Sequence, residues 1–469
     1  MQQLSAQDAQ FLYIETGNNL THVMGVNIYD PSTAPGGKVR FKDIITHVEE
    51  RLGSSPVFRR RLMRLPYDFD HPYWVQDEFF DVEHHMFHGR LPKPGDWRQF
   101  CIHLARHFSR PMDMNRPLWD MYVIEGLDRI KGIPKGSYAI ATRVHHAAID
   151  GTSAMHFFAA LSDIDSKGTP AIELPEWPAD PVESPSAVTV VNRAVVSNLQ
   201  SPVKMAGTLL RFSPAIFNTV VKSLSSDGSK SRQVPLTRFN QPVSPHKMFD
   251  ATVFSLAEMK QIKDSIEDST INDVVLAICA GALRIYLEHH EELPDDPLVA
   301  IAPVNKRGKG RDSEIPGNKI SAMAVALPTN IDDPIERLLT IRDTTRQTKA
   351  AKSGISARLM TDLSQHVPAA TMAGVARLVA GGRFTSKLCN LFISNVPGPQ
   401  ETLYMNGARL LHTYGLAPLA DGMGLFIATP SYNGEMTFSI ISAREIMPDI
   451  EFFRECLEQS FDELLEAAA

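Results

Sequence analysis

Two parts of the chain that mix helix and strand patterns are separated by residues 166–250, which differ in composition. This middle region begins with closely spaced prolines and ends in Ser225-Ser226-Asp227-Gly228-Ser229. Proline and clusters of Ser, Asp and Gly interrupt regular structure. The sequence therefore predicts an N-terminal domain over 1–165, a connector over 166–250 and a C-terminal domain over 251–469.

Periodic apolar residues predict regular elements in both parts. Helical spacing occurs at 41–52, 100–108, 270–287 and 450–465, and strand patterns occur at 137–144, 298–303, 321–327, 391–396, 425–430 and 436–442. Thr270 and Asp273 have the spacing of a capping box at the start of the third helix. Tyr432-Asn433-Gly434-Glu435 is typical of a hairpin turn. Each half is thus expected to mix α and β structure.

Composition and charge exclude several classes of protein. Hydrophobic residues make up 43% and charged residues 22% of the chain, as in ordinary globular proteins. The net charge of −7 argues against general nucleic-acid binding, which uses a basic surface. Four cysteines lie far apart without a CxxC pair, so neither a zinc motif nor a disulfide framework is expected, and a reduced, intracellular protein is predicted.

No segment is predicted to cross a membrane. The longest apolar run, Val274 to Leu283, has ten residues, whereas a spanning helix needs about 20. Residues 1–8 carry neither the basic nor the apolar region of a signal peptide. Between Ser184 and Asn240, seven Lys and Arg residues stand against the single acid Asp227. This segment is either a solvated helical crossover or a basic amphipathic surface that touches anionic lipid.

Three His-His pairs are the first candidates for chemistry, because GxSxG, P-loop, GxGxxG and HExxH motifs are all absent. His84-His85 is interpreted as structural, and His289-His290, within a charged run, as solvated. His145-His146 directly follows the strand pattern at 137–144 and precedes a helix-like segment at 152–161.

The surroundings of His145-His146 suit a catalytic loop. Asp150 can hydrogen-bond back to hold the loop, and Gly151 permits a tight turn. A neutral histidine is a suitable general base near pH 7. A metal site would need further ligands at metal-site spacing, and none is present nearby, so no metal is expected. The pattern leaves open a catalytic and a purely structural role for the pair.

His145-His146-xxx-Asp150-Gly151 resembles the HHxxxDG motif of CoA-dependent acyltransferases with the chloramphenicol acetyltransferase-like fold. Among these, the chain looks most similar to the bacterial bifunctional wax ester synthase/acyl-CoA:diacylglycerol acyltransferase family. The matching blocks span nearly the whole chain: Leu4-Ser5-xx-Asp8-xx-Phe11, Asn115-Arg116-Pro117-Leu118-Trp119-Asp120-Met121-Tyr122, Asn272-Asp273, Pro303-Val304-Asn305-Lys306-Arg307, Gly317-Asn318, Ser394-Asn395-Val396-Pro397-Gly398-Pro399 and Gly415-xx-Pro418-Leu419-xx-Gly422-xx-Leu425.

The resemblance implies an α/β fold, an α+β sandwich of two chloramphenicol acetyltransferase-like domains with the active site at their interface. It implies transfer of a long-chain acyl group from acyl-CoA to diacylglycerol or a long-chain fatty alcohol, without an acyl-enzyme. His146 would be the general base and His145 would pack or orient. Asp150, with Gly151, would hold the loop, and Asn272 would face the cleft from the second domain.

The resemblance also implies substrate-binding residues, each with a structural alternative. Pro117, Leu118 and Trp119 form either a wall near the acyl pocket or a strand start with a core tryptophan. The pair Asn272-Asp273 lines the cleft or only caps a helix. Lys306 and Arg307 either meet the CoA phosphates or are plain surface charge.

The predicted partners are acyl-CoA, as co-substrate with no other cofactor, and a lipid alcohol. No nucleic acid is expected, and the oligomeric state is not predicted. We expect a cytoplasmic enzyme that associates peripherally with the inner membrane or with lipid inclusions. Two alternatives remain open: a condensation-domain-like enzyme that uses carrier-protein thioesters, and a non-catalytic lipid-binding homologue.

Overall fold

The computed structural model describes residues 2–66, 69–149, 157–173, 234–304, 321–350, 373–374, 386 and 388–469. Its helices are α1 (Ala6–Ile14), α2 (Phe41–Arg51), α3 (Trp97–Phe108), α4 (Leu256–Ser265), α5 (Ile271–His289), α6 (Pro334–Ala350) and α7 (Ile450–Ala467). Its strands are β1 (Gln2–Gln3), β2 (His22–Asp30), β3 (Arg60–Met63), β4 (Tyr73–Gln76), β5 (Met86–Arg90), β6 (Trp119–Glu125), β7 (Tyr138–His145), β8 (Lys247–Ser255), β9 (Leu298–Val304), β10 (Ser321–Leu327), β11 (Leu391–Val396), β12 (Tyr404–Met405), β13 (Ala408–Leu416), β14 (Leu425–Tyr432) and β15 (Glu435–Ala443).

The first six-stranded sheet has the order β12-β13-β2-β7-β6-β5. Strand β7 lies inside this sheet, and all eight of its residues are buried. Strands β12 and β13 come from the C-terminal part of the chain, and β13 pairs antiparallel with β2. Residues 404–416 therefore complete a sheet whose other four strands all lie within residues 22–145. The domain boundaries read from the sequence stay a prediction.

The second six-stranded sheet has the order β10-β9-β11-β14-β15-β8. Helix α5 packs against α6 and α7 beside it. Its start is a capping box in which Thr270 and Asp273 exchange backbone and side-chain hydrogen bonds, as the sequence predicts. The turn between β14 and β15 places Asn433 and Gly434 at φ of 46° and 84°, the conformation that such a hairpin turn requires.

One apolar core joins the two sheets. It contains Met24 and Ile28 of β2 and Phe100 of α3 together with residues of β8, α5, β15 and α7. Helix α3 packs against β8, and Trp97 Nε1 donates to Asp250 Oδ1 at 2.6 Å across this contact. Ala139 and Ala141 of β7 belong to the same core, which therefore fixes this strand relative to the second sheet.

The structure confirms the elements that the sequence predicts within the described residues, with boundaries that differ by a few residues. The four cysteines are unpaired and buried. In the part of the chain that the structure describes, no helix has both the length and the apolar composition needed to cross a membrane. The apolar run from Val274 to Leu283 is instead buried in α5.

Candidate active site

The histidine pair lies at the end of β7, a central strand of the first sheet. His145 is its last residue and is fully buried. Its backbone N–H donates to the Leu118 carbonyl at 3.0 Å, and the backbone N–H of His146 donates to the Thr21 carbonyl at 2.9 Å. Both peptide groups are therefore held by neighbouring segments on either side of the strand.

The side chain of His145 is fully engaged in structural contacts. Its Nδ1 accepts the backbone N–H of Ala147 at 3.1 Å. Its Nε2 lies 2.9 Å from Oε2 of Glu15 and 3.0 Å from Oγ1 of Thr21. Because Nδ1 accepts a hydrogen bond, the proton of the neutral ring is on Nε2, which donates to the Glu15 carboxylate. Neither nitrogen is left to accept a proton from a substrate.

Glu15 is a member of this site that the sequence analysis did not identify. Its Oε2 also accepts the backbone N–H of Thr21 at 3.0 Å and lies 2.8 Å from the Thr21 hydroxyl. Burial alone would raise the pKa of Glu15, but the hydrogen bond from His145 Nε2 and the hydrogen bonds from Thr21 lower it to about 2. Glu15 is therefore a carboxylate at neutral pH.

The ring of His146 is partly exposed and stacks on the ring of Phe11, with centroids 3.9 Å apart and planes at 19°. Its Nδ1 is buried and has no hydrogen-bond partner among the described residues. Burial lowers the pKa of His146 to about 4. The imidazole is therefore neutral near pH 7, the form that accepts a proton.

A buried ion pair lies on β6 and β7, two residues before the histidine motif. Asp120 of β6 faces Arg143 of β7, and His107 Nε2 lies 3.2 Å from the Asp120 carboxylate. Burial would raise the pKa of Asp120, but the hydrogen bonds from His107 and Arg143 lower it to about 2. No local sequence signal identifies this network, because its three members come from separate elements.

The block Pro117, Leu118 and Trp119 lies at the start of β6 with all three side chains buried. Trp119 Nε1 donates to the Phe58 carbonyl at 3.0 Å, and the ring stacks on His85 with centroids 4.6 Å apart. These are the contacts of a strand start with a core tryptophan. Leu118 also supplies the carbonyl that holds His145.

Asp273 and Asn272 occupy the first turn of α5. Asp273 is buried, and its Oδ2 accepts the backbone N–H and hydroxyl of Thr270 at 2.9 and 2.7 Å. Its Oδ1 accepts the hydroxyl of Thr345 at 2.8 Å. The Thr270 contacts make Asp273 the second member of the capping box, and the Thr345 contact joins α5 to α6. Asn272 is partly exposed at the second position of the helix.

The remaining predicted site residues, Asp150, Gly151, Lys306 and Arg307, lie outside the described residues. Their roles stay predictions. Among the residues that the structure describes, no three His, Cys, Asp or Glu side chains are grouped so as to hold a metal ion. Of the other histidine pairs, His85 is buried, whereas His289 is exposed.

Two family models match the chain. Residues 4–275 match the wax ester synthase/diacylglycerol acyltransferase catalytic domain, and residues 316–465 match the WS/DGAT C-terminal domain. The O-acyltransferase WSD of Acinetobacter baylyi is 31% identical over 473 residues, covering 98% of this chain and 96% of that protein. A Mycobacterium tuberculosis protein, provisionally named diacylglycerol O-acyltransferase Rv1760, is 33% identical, covering 100% of this chain and 91% of that protein.

Solved structures show the same architecture. The wax ester synthase/diacylglycerol acyltransferase from Marinobacter aquaeolei VT8 superposes with a TM-score of 0.71 at 26% identity, covering 100% of both chains. The trichothecene 15-O-acetyltransferase TRI3 from Fusarium sporotrichioides superposes with a TM-score of 0.60 at 12% identity, covering 99% of this chain and 94% of that chain, which supports a shared fold alone. The predicted fold class, an α/β chain with the chloramphenicol acetyltransferase-like architecture, is confirmed.

Proposed function

The chain belongs to the wax ester synthase/diacylglycerol acyltransferase family, and we propose that His146 is the general base with which it moves a long-chain acyl group from acyl-CoA to diacylglycerol, a long-chain fatty alcohol, or both. The observation that carries the proposal is the placement of His146: its imidazole is partly exposed at the end of β7 and stacked on Phe11, whereas His145 is fully buried. The products would be triacylglycerol and wax ester.

In the proposed reaction, His146 takes the proton of the acceptor hydroxyl while the oxygen attacks the thioester carbonyl. The tetrahedral intermediate then collapses, the carbon–sulfur bond breaks, and His146 returns the proton to the CoA thiolate. No acyl-enzyme and no cofactor beyond acyl-CoA are needed. We assign the proton transfer to Nε2, because Nδ1 is enclosed. A positioned base of this kind contributes roughly 10²–10⁴-fold in rate.

The neighbouring residues support the choice of His146 over His145. Both ring nitrogens of His145 are already engaged by Ala147, Glu15 and Thr21, so His145 is assigned an orienting role. Asp150 and Gly151 are proposed to hold the loop that follows.

The substrate contacts are also proposals. Oδ2 of Asp273 is engaged in the capping box and Oδ1 accepts the hydroxyl of Thr345. Asn272 is therefore the member of that pair that we assign to the cleft, where its amide would orient the reacting groups. Lys306 and Arg307 are assigned to the phosphates of CoA.

Association with a lipid surface is part of the proposal, because diacylglycerol and long-chain alcohols are insoluble in water. The basic segment between Ser184 and Asn240 is the proposed contact with a membrane or lipid inclusion. Residues 184–233 of it lie outside the described residues.

The test is an assay of the purified full chain with labelled palmitoyl-CoA against diacylglycerol and hexadecanol, with palmitoyl thioester on a carrier protein as a second donor. We expect transfer from the CoA thioester to at least one acceptor, and a loss of roughly 10²–10⁴-fold in His146→Ala. His145→Ala should lose less. Transfer only from the carrier thioester, no transfer at all, or a loss below about tenfold in His146→Ala would each overturn the proposal.

A further inference from the structure

We propose that helix α1 positions the catalytic base: Glu15 acts through His145, and Phe11 holds the ring of His146 by stacking on it. This inference rests on the proposed function of His146. Glu15 contacts His145 and Thr21, and Phe11 contacts the His146 ring through its apolar face, so both are assigned as positioning residues.

The placement of Glu15 is unfavourable for the helix itself. It is the C-cap residue of α1, and the last turn of that helix contains no basic residue. An acidic side chain at a helix C-terminus meets the negative end of the helix dipole and destabilises the helix. The three contacts of Glu15 with His145 and Thr21 offset that cost. Glu15 therefore stabilises the position of His145 and Thr21 and does not stabilise α1.

Thr21 connects α1 to the peptide group of His146. Its hydroxyl lies 2.8 Å from Glu15 Oε2 and 2.9 Å from the Phe11 carbonyl. Its own carbonyl accepts the backbone N–H of His146 at 2.9 Å. Phe11 and the C-cap residue Glu15 therefore both fix Thr21, and Thr21 fixes the backbone of His146.

Phe11 and Glu15 are four residues apart, about one helical turn, so both side chains reach the same end of β7. Glu15 fixes the protonated nitrogen of His145, and Phe11 fixes the plane of the His146 ring at 3.9 Å. Contacts from α1 and its C-cap residue therefore fix both the backbone of His146 and the plane of its ring. A misplacement of about 1 Å can cost roughly 10²-fold in rate.

The kinetic test compares Glu15→Ala, Glu15→Gln and Phe11→Ala with the unchanged full chain. For Glu15→Ala we expect kcat to fall by roughly 10–10²-fold while KM for acyl-CoA changes by less than about threefold. Glu15→Gln keeps an acceptor for His145 Nε2 and should recover most of kcat.

Two controls separate positioning from general damage. Gln10→Ala changes an exposed residue of the same helix and should leave the kinetics unchanged. Val48→Ala removes buried volume from α2 and should lower the melting temperature without lowering kcat. Two outcomes would overturn the role of Glu15. One is a fall in kcat for Glu15→Ala that Glu15→Gln does not recover. The other is the same fall in kcat in Val48→Ala when both variants lose the same amount of melting temperature.

A second readout does not depend on activity. In protein labelled with ¹³Cε1-histidine, the His146 signal is assigned by its loss in His146→Gln and titrated by NMR. Among the described residues, His145, the preceding residue, is the ionisable group that acts on this ring. Removing the Phe11 ring admits water to the imidazole, so the pKa of His146 should rise from about 4 toward 6.5.

The acid limb of kcat/KM should move up with that pKa in Phe11→Ala, and Phe11→Leu, which keeps the apolar volume, should move it less. An unchanged pKa and an unchanged kcat in both Phe11 variants would overturn the stacking role. If His146→Ala keeps full activity, the proposed function fails, whereas the NMR titration still decides whether α1 holds the ring.

Discussion

Arg143 and Asp120 face each other on paired strands and form two parallel hydrogen bonds, from Nε to Oδ1 at 3.0 Å and from Nη2 to Oδ2 at 2.5 Å. Nη1 of the same guanidinium donates to the carbonyls of His107 and Arg110 at 2.8 and 2.7 Å. The pair is buried and joins the end of α3 to the sheet two residues before the histidine motif. Strand β7 is thereby fixed immediately upstream of His145.

Removing one partner of this pair should be costly. Asp120→Ala leaves the Arg143 guanidinium buried without its counter-charge, and such losses are about 3–5 kcal/mol. The midpoint of urea unfolding of the full chain measures the effect. Arg346→Ala, which removes a pair whose two side chains are more than half exposed, is the matched control and should change stability by less than about 1 kcal/mol. Equal effects of the two substitutions would contradict the structural role of the pair.

The same carboxylate predicts a loss of stability in acid. The pKa of Asp120 is lowered to about 2 in the folded chain, below the unfolded value of about 3.9. Its contribution is therefore complete above about pH 5 and is lost as the pH falls toward 2. The melting temperature of Asp120→Asn should lie well below that of the unchanged chain at pH 7, and the difference should shrink between pH 5 and pH 3. A difference that stays constant over this range would contradict the assigned pKa.

The local elements were predictable because their information is local. The capping box at Thr270 and Asp273 and the hairpin at Asn433-Gly434 depend on residues within one turn of each other. The position of β13 was not predictable in this way. It pairs with β2, with Tyr414 opposite Val26, and nothing in either strand specifies a partner so distant in sequence.

The candidate site shows the same division. The motif identifies His145 and His146 because it follows a strand. The local sequence does not show which other residues contact them. Glu15 and Phe11 reach the motif across the fold, at sequence separations that no spacing rule covers. The opening block Leu4-Ser5-xx-Asp8-xx-Phe11 contains Phe11. Its contact with the His146 ring is visible only in the structure.

Close packing of α5 on α7 gives a stability prediction. A Cβ on Gly281 would lie 2.1 Å from Oγ of Ser460 and 2.9 Å from Nη2 of Arg337. Gly281→Ala should therefore destabilise the chain by about 1–3 kcal/mol. Gly53→Ala, at a position where no atom lies within 4 Å of the added Cβ, is the control for the substitution itself.

The double variant Gly281→Ala/Ser460→Gly removes the clashing hydroxyl and should recover part of the loss, because the two positions are in contact. Ser460 donates to the Ile278 carbonyl at 2.9 Å, so recovery should be incomplete. Additive effects of the two substitutions in thermal unfolding would show that the helices do not touch here.

Asp150 gives a prediction for the residues that the structure does not describe. If Asp150 braces the loop after His146, Asp150→Asn should keep part of the activity. Asp150→Ala should lose activity and about 1–3 kcal/mol of stability, because a buried partner is left without its hydrogen bond. Activity and thermal unfolding are measured on the same preparations. A fully stable but inactive Asp150→Ala would argue for direct participation in the chemistry.

Binding to lipid surfaces should be electrostatic in part. The segment between Ser184 and Asn240 carries seven basic residues and one acidic residue in a chain of net charge −7, and its apolar residues include Val195, Leu209 and Phe212. Each basic residue near an anionic surface contributes about 1 kcal/mol, and salt screens the attraction. Sedimentation with phosphatidylglycerol vesicles at low and high salt should therefore show binding that weakens with salt. The charge-reversed variant Lys204→Glu/Arg211→Glu should weaken binding at low salt by at least about tenfold. Binding that does not change with salt, lipid charge or this substitution would contradict the electrostatic contribution and leave apolar docking as the only attraction.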